Sequence, residues 1–169
     1  MVGEKGKIMD ITPLVCDAID DLDKKFQLLI KPHPSEDVFA YKNFASARYC
    51  KPIVLSDINI RELLFISEAL ITFHSTIMIE SVLIGKPLIS VNITGEPNPV
   101  PYLKWGLGIE VTNHNEILNA LNHDLTNQSF IGKFKVARNH YFGGSTDNGA
   151  SGRIANLAYS LLEGRKCFG

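Results

Sequence analysis

Five apolar runs of strand length punctuate this chain: FQLLI at 26–30, IVL at 53–55, ALITF at 69–73, LISVN at 88–92 and IEV at 109–111. Stretches of helical period separate them, and that alternation predicts parallel strands joined by covering helices, an α/β fold. Thr12-Pro13 reads as a cap and first helical position, with Leu14, Ile19 and Leu22 marking a helix to about Lys24. Further helices are expected over Asp37–Ala47, Asn59–Ile66, Thr76–Ile84, Asn115–His123, Phe130–Tyr141 and Ser151–Leu162. Gly85 closes the third of these, with Pro87 just beyond. GEPNPVPYLKWGLG at 95–108 is too rich in Gly and Pro for a regular element and reads as a long surface loop.

With 169 residues the chain buries roughly 70% of its unfolded surface as one domain and needs no disulfide or metal staple. No linker divides it, so residues 1–169 read as a single domain. Seventeen Lys plus Arg against 18 Asp plus Glu leave a formal charge of -1, which argues against nucleic acid as the main partner. Cys16, Cys50 and Cys167 are odd in number and follow no ligand spacing, which points to free thiols in a reducing compartment and to no metal. Neither a signal-peptide core nor a run of about 18 apolar residues is present. A cytoplasmic location is therefore expected.

Two places carry candidate chemistry. In the first, Phe73-His74-Ser75-Thr76 turns a buried strand into a helix, whose first turn has unpaired N–H groups and a partial positive charge. Ser75 and Thr76 hydroxyls add donors there for a phosphate, and Glu80, one turn along, is placed to accept from the hydroxyls of a ribose. The plainer reading makes Ser75 a helix cap and Glu80 a solvated carboxylate. The second place is His33, held between Pro32 and Pro34 at a strand's carboxyl end, with an imidazole able to donate to a phosphate oxygen. The alternative is a surface histidine. His74 can line the same cleft or cap a packed edge, and Tyr102 and Trp105 are equally suited to stacking on a ligand or packing on their own strand ends. No GxGxxG or GxxxxGK[ST] phosphate fingerprint occurs, which disfavours NAD enzymes and P-loop NTPases. Asp147, before the last helix, reads as a cap, with Arg153 facing outward if Ile154 and Leu157 are core.

KPHP at 31–34, SEALITFHSTIMIESVLIGKPLISVN at 67–92, residues 106–111 and DNGASGRIANL at 147–157 together resemble the C-terminal half of a GT-B glycosyltransferase. The resemblance is closest to capsule sialyl- and Kdo-transferases, CDP-glycerol glycerophosphotransferases and non-hydrolysing UDP-N-acetylglucosamine 2-epimerases. It implies a Rossmann-like parallel sheet with helices on both faces that binds the nucleotide of an activated, CMP- or UDP-linked sugar, with no further cofactor. It places His33, His74, Ser75 and Thr76 at the phosphates, His33 as the catalytic group, and Glu80 on the ribose. Cytoplasmic surface-polysaccharide synthesis is the implied setting, at the membrane periphery in the full protein.

Such enzymes have an N-terminal acceptor domain, and their C-terminal domain opens on a strand that the polar, glycine-rich MVGEKGKIMD does not provide. The chain is therefore expected to be a fragment. Self-association is an expectation too, because a missing strand leaves a sheet edge or an apolar groove uncovered. His74-Ser75-Thr76 stands where the epimerases carry a Ser-Gly-Gly turn, so transferase is favoured over epimerase. A non-catalytic binding or assembly module is the alternative of another class.

Overall fold

A computed structural model describes residues 7–23, 26–73, 75–98, 100–142 and 149–162. The described elements run α1 (Lys7–Asp20), β1 (Leu29–Ile30), α2 (Val38–Ser46), β2 (Ile53–Val54), α3 (Ile60–Ile66), β3 (Leu70–Thr72), α4 (Ile77–Ile84) and β4 (Leu88–Val91). They continue with β5 (Gly108–Val111), α5 (His114–Asn122), a 3-10 turn (Asp124–Thr126), α6 (Gln128–Phe142) and α7 (Gly149–Leu162). All strand pairings are parallel, as the alternation of apolar runs and helices predicts.

The strands form two sheets, β1-β2 and β3-β4-β5. In the second, Leu88 pairs with Leu70 and Gly108, and the register continues through Ser90 with Thr72 and Glu110. Every residue of β4 is buried, as a strand covered on both faces must be. Its side chains divide by alternation: Ile89 and Val91 meet Ile11, Val15 and Ile19 of α1 and Ile117 and Leu121 of α5. Leu88 meets Met78 and Val82 of α4 and Phe134 of α6. The result is the expected Rossmann-like arrangement, with helices on both faces of the sheet.

Most helix ends follow local chemistry. Asp37 accepts from the Phe39 N–H at 2.9 Å and starts α2, and Asn59 accepts from the Arg61 N–H at 2.9 Å and starts α3. Gly85 ends α4 in the left-handed region at φ 87°, its N–H bonded to carbonyls of Ser81 and Val82. The helix at Thr12-Pro13 departs from expectation: α1 begins at Lys7 and contains Pro13. An interior proline costs about 3 kcal/mol, and burial of Ile11, Val15, Cys16, Ala18 and Ile19 offsets it.

Two further readings change. The segment at 95–108 is no free surface loop, because Tyr102 and Leu107 are buried in the core on the α4 side. Ile154 and Leu157 of α7 are exposed at 69% and 51%, so they are not core, although Arg153 does face outward. Asp147 lies outside the described residues.

Candidate functional site

A cleft of about 720 Å³ opens between β1 and β3. Its walls are the two strands with apolar side chains of α1 and α3; of its polar residues, Gln27, Ser67 and Glu68 precede the two strands at one edge, while Lys31, His33 and Ser75 follow the carboxyl ends of β1 and β3 at the opposite edge. That edge of a parallel α/β sheet is where ligands bind, because loops diverge there and helix N-termini point at it.

The turn at 31–36 is held by its own side chains. The His33 N–H donates to Glu36 Oε2 at 2.6 Å, and the His33 carbonyl accepts from the Glu36 N–H at 2.9 Å. Glu36 Oε1 in turn accepts from the Tyr41 hydroxyl at 2.9 Å. Tyr41 is 1% exposed, and burial followed by the neighbouring Glu36 pushes its hydroxyl well above the usual phenol range, so it stays a donor. Lys31 Nζ donates to the Ser56 carbonyl at 2.6 Å, tying the turn to the segment after β2.

The imidazole of His33 is exposed, and its Nδ1 lies 3.2 Å from the Ser35 N–H and 2.8 Å from Ser35 Oγ. A backbone N–H can only donate, so Nδ1 is the acceptor and the neutral ring carries its proton on Nε2. That leaves Nε2–H free of the Ser35 contacts, as a donor.

On the other wall, Ser75 Oγ accepts from the Ile77 N–H at 3.4 Å, and the Ser75 carbonyl accepts from Met78 N–H at 3.2 Å. Ser75 thus caps the turn leading into α4, while Thr76 is already helical at φ -63° and ψ -19° and makes no side-chain cap bond. The long Ser75 contact uses one lone pair and leaves its O–H proton available to a ligand. Thr76 is exposed and Glu80 half-buried, and neither lines the cleft. Glu80 Oε2 accepts from Arg61 Nε at 3.0 Å. His74 lies outside the described residues.

The structure therefore brings His33 and Ser75 to one cleft and sets Thr76 and Glu80 beside it. Sequence reading missed the partners Glu36, Tyr41 and Arg61. Only the Glu36 contact carried a local signal, a carboxylate three residues after His33 in a proline-bounded turn. Tyr102 and Trp105 pack within the fold: Tyr102 is 2% exposed, and Trp105 stacks on Tyr141 with ring centroids 4.6 Å apart. No described helix is long and apolar enough to cross a membrane.

The molecule is thus a parallel α/β fold with a cleft that reaches the carboxyl ends of β1 and β3. Residues 16–160 match the family model described as CDP-Glycerol:Poly(glycerophosphate) glycerophosphotransferase. The chain belongs to that family, and with it to the transferases of surface-polymer synthesis. No curated protein matches it.

Proposed function

We propose that this chain is the donor-binding domain of a transferase whose donor is a cytidine diphosphate-linked polyol, with CDP-glycerol the first candidate. The carrying observation is the pairing of His33 and Ser75 across the carboxyl ends of β1 and β3, inside the segment that matches the family. The family description favours the CDP-linked donor over the nucleotide sugars of capsule transferases and epimerases, which share the implied GT-B architecture. An acceptor-binding domain completes the enzyme on the cytoplasmic side of the membrane.

In this reading the diphosphate lies across the cleft mouth, between His33 Nε2–H and the Ser75 hydroxyl and first turn of α4, with the Thr76 hydroxyl beside it. The ribose hydroxyls reach Glu80. An acceptor hydroxyl attacks the phosphorus that bears glycerol; the new P–O bond forms as the bond to cytidine monophosphate breaks. The acceptor proton passes to a base of the acceptor domain. His33 contributes by donating to the phosphate oxygen that gains charge, an interaction stronger in the transition state than in the bound donor.

The test is a thermal-shift and calorimetry panel of CDP-glycerol, CDP, CMP, UDP and UDP-N-acetylglucosamine on the full chain. CDP-glycerol and CDP are expected to stabilise it selectively. Selective stabilisation by a uridine nucleotide would overturn the donor assignment, and no stabilisation by any of them would overturn the donor-domain reading.

A further inference from the structure

Away from the cleft, two thiols meet. Cys16 lies wholly buried on α1, and Cys50 lies half-buried in the turn that leads into β2. Both are free, and the Cys16 S–H donates to Cys50 Sγ. The backbone around Cys50 is held against α1. Cys50 packs on the core cluster that contains Val15, Ala18 and Ile19. Two residues before it, Arg48 Nη1 pairs with Asp17 Oδ1 at 2.5 Å, and the guanidinium lies 4.5 Å from the Phe44 ring centre. One residue after it, Lys51 turns the chain in the left-handed region at φ 43°, a conformation a lysine keeps only where its surroundings impose it. The Lys51 carbonyl accepts from Gln27 Nε2 at 3.3 Å, and the Ile53 N–H donates to the Leu28 carbonyl at 2.9 Å.

We propose that Cys16 and Cys50 form an oxidation site, which a hydroperoxide converts to an intrachain disulfide within the native fold. Two sulfurs already in hydrogen-bond contact need about 2 Å or less of movement to reach bonding distance, and rotation about their Cα–Cβ bonds supplies it. Cys50 reacts first, being the thiol that solvent reaches. Its sulfur attacks a peroxide oxygen and the O–O bond breaks; the departing oxygen leaves as water with the thiol proton, and Cys50 becomes a sulfenic acid. The Cys16 sulfur then attacks that sulfur. The S–S bond forms, the S–O bond breaks, and the hydroxyl departs as a second water with the Cys16 proton. Both thiols are thereby oxidised and one peroxide is reduced. Burial, the largest influence on both groups, holds them protonated, with Cys16 pushed up to about 12, so closure takes sustained exposure to peroxide. The product ties α1, whose Val15 lines the cleft, to the segment entering β2.

The test uses the full chain carrying Cys167→Ser, which leaves these two thiols. After excess hydrogen peroxide in native buffer, its intact mass is expected to fall by two hydrogen atoms. Digestion without reductant should then yield peptides joined through Cys16 and Cys50. The melting temperature should rise by at least about 5 °C and return with dithiothreitol, because the bond constrains the unfolded chain. The further change Cys16→Ala removes the thiol that captures the sulfenic acid, so Cys50 should gain oxygen instead. Where alanine at this buried position prevents folding, the two-thiol measurement decides alone. The proposal falls if the two-thiol chain stays unlinked in native buffer, or if Cys50 gains oxygen while Cys16 stays reduced. It falls equally if the link joins two chains or if the melting temperature fails to rise.

Discussion

Arg61 Nε stands 3.0 Å from Glu80 Oε2, which joins the first turn of α3 to the first turn of α4 across 19 residues of sequence. The carboxylate proposed for the ribose is thus already oriented by a cation. Both groups remain accessible, at 71% and 38%, so the pair contributes little to stability. Glu80→Ala is expected to shift unfolding free energy by less than about 1 kcal/mol. It should weaken cytidine binding at least tenfold in calorimetry. Unchanged cytidine affinity would remove Glu80 from the ribose site.

His33→Ala separates phosphate from base recognition. Loss of a hydrogen bond to a charged group, about 1.5–3 kcal/mol, predicts at least a tenfold loss of CDP affinity. Cytidine, which has no phosphate, should bind within twofold of its original affinity. Equal losses for the two ligands would place His33 away from the phosphates.

Glu116 gives the stability a pH dependence. Its carboxylate accepts from the Thr112 N–H at 2.7 Å and the Thr112 hydroxyl at 3.0 Å, while its own N–H donates to Asn113 Oδ1 at 3.1 Å. The Thr112 backbone bond, then its hydroxyl, holds the acid below the usual carboxylate range. A pKa lower in the folded than in the unfolded state adds stability above the unfolded value, lost as pH falls through the folded one. Urea midpoints of the wild type and Glu116→Gln should therefore differ most at neutral pH and converge in acid. A gap that stays constant down to acid pH would show that the charge on Glu116 contributes nothing.

Gly108→Ala tests a close backbone approach in the second sheet. A Cβ at position 108 would meet the Leu88 carbonyl oxygen at 2.7 Å and Leu88 Cβ at 3.0 Å. Leu88 and Gly108 are register partners, so relief requires β4 and β5 to separate. Overpacking of this kind costs about 1–3 kcal/mol, and urea unfolding should report a loss at the upper end of that range. A loss below about 0.5 kcal/mol would show that the β4–β5 pairing yields freely.

Local signals in the sequence placed most elements. Asp37, Asn59 and Gly85 mark helix ends through contacts spanning two to four residues, and apolar runs mark the strands. His33 and Ser75 were legible as candidates for the same reason, since each sits where an apolar run stops. Thr12-Pro13 misled because a cap signal is weak against a buried helix face that continues through it. Tyr102 misled because proline-rich spacing reports backbone irregularity and carries no information about which side chain turns inward.

By itself the sequence determined the α/β class, the order of elements and a group of related transferases that includes the family, since hydrophobic period, caps and motif order act along the chain. Only the tertiary structure decided that Arg61 meets Glu80, that Arg138 donates to the Val82 and Leu83 carbonyls at 2.9 and 2.6 Å, and that Tyr41 supports Glu36 beneath His33. It alone divided the strands into two sheets with Leu29 and Ile71 lining one cleft. The physical reason is range: propensity and capping operate within a few residues, whereas the Arg138 contacts span 56 and 55 positions and exist only once packing has brought α6 against α4.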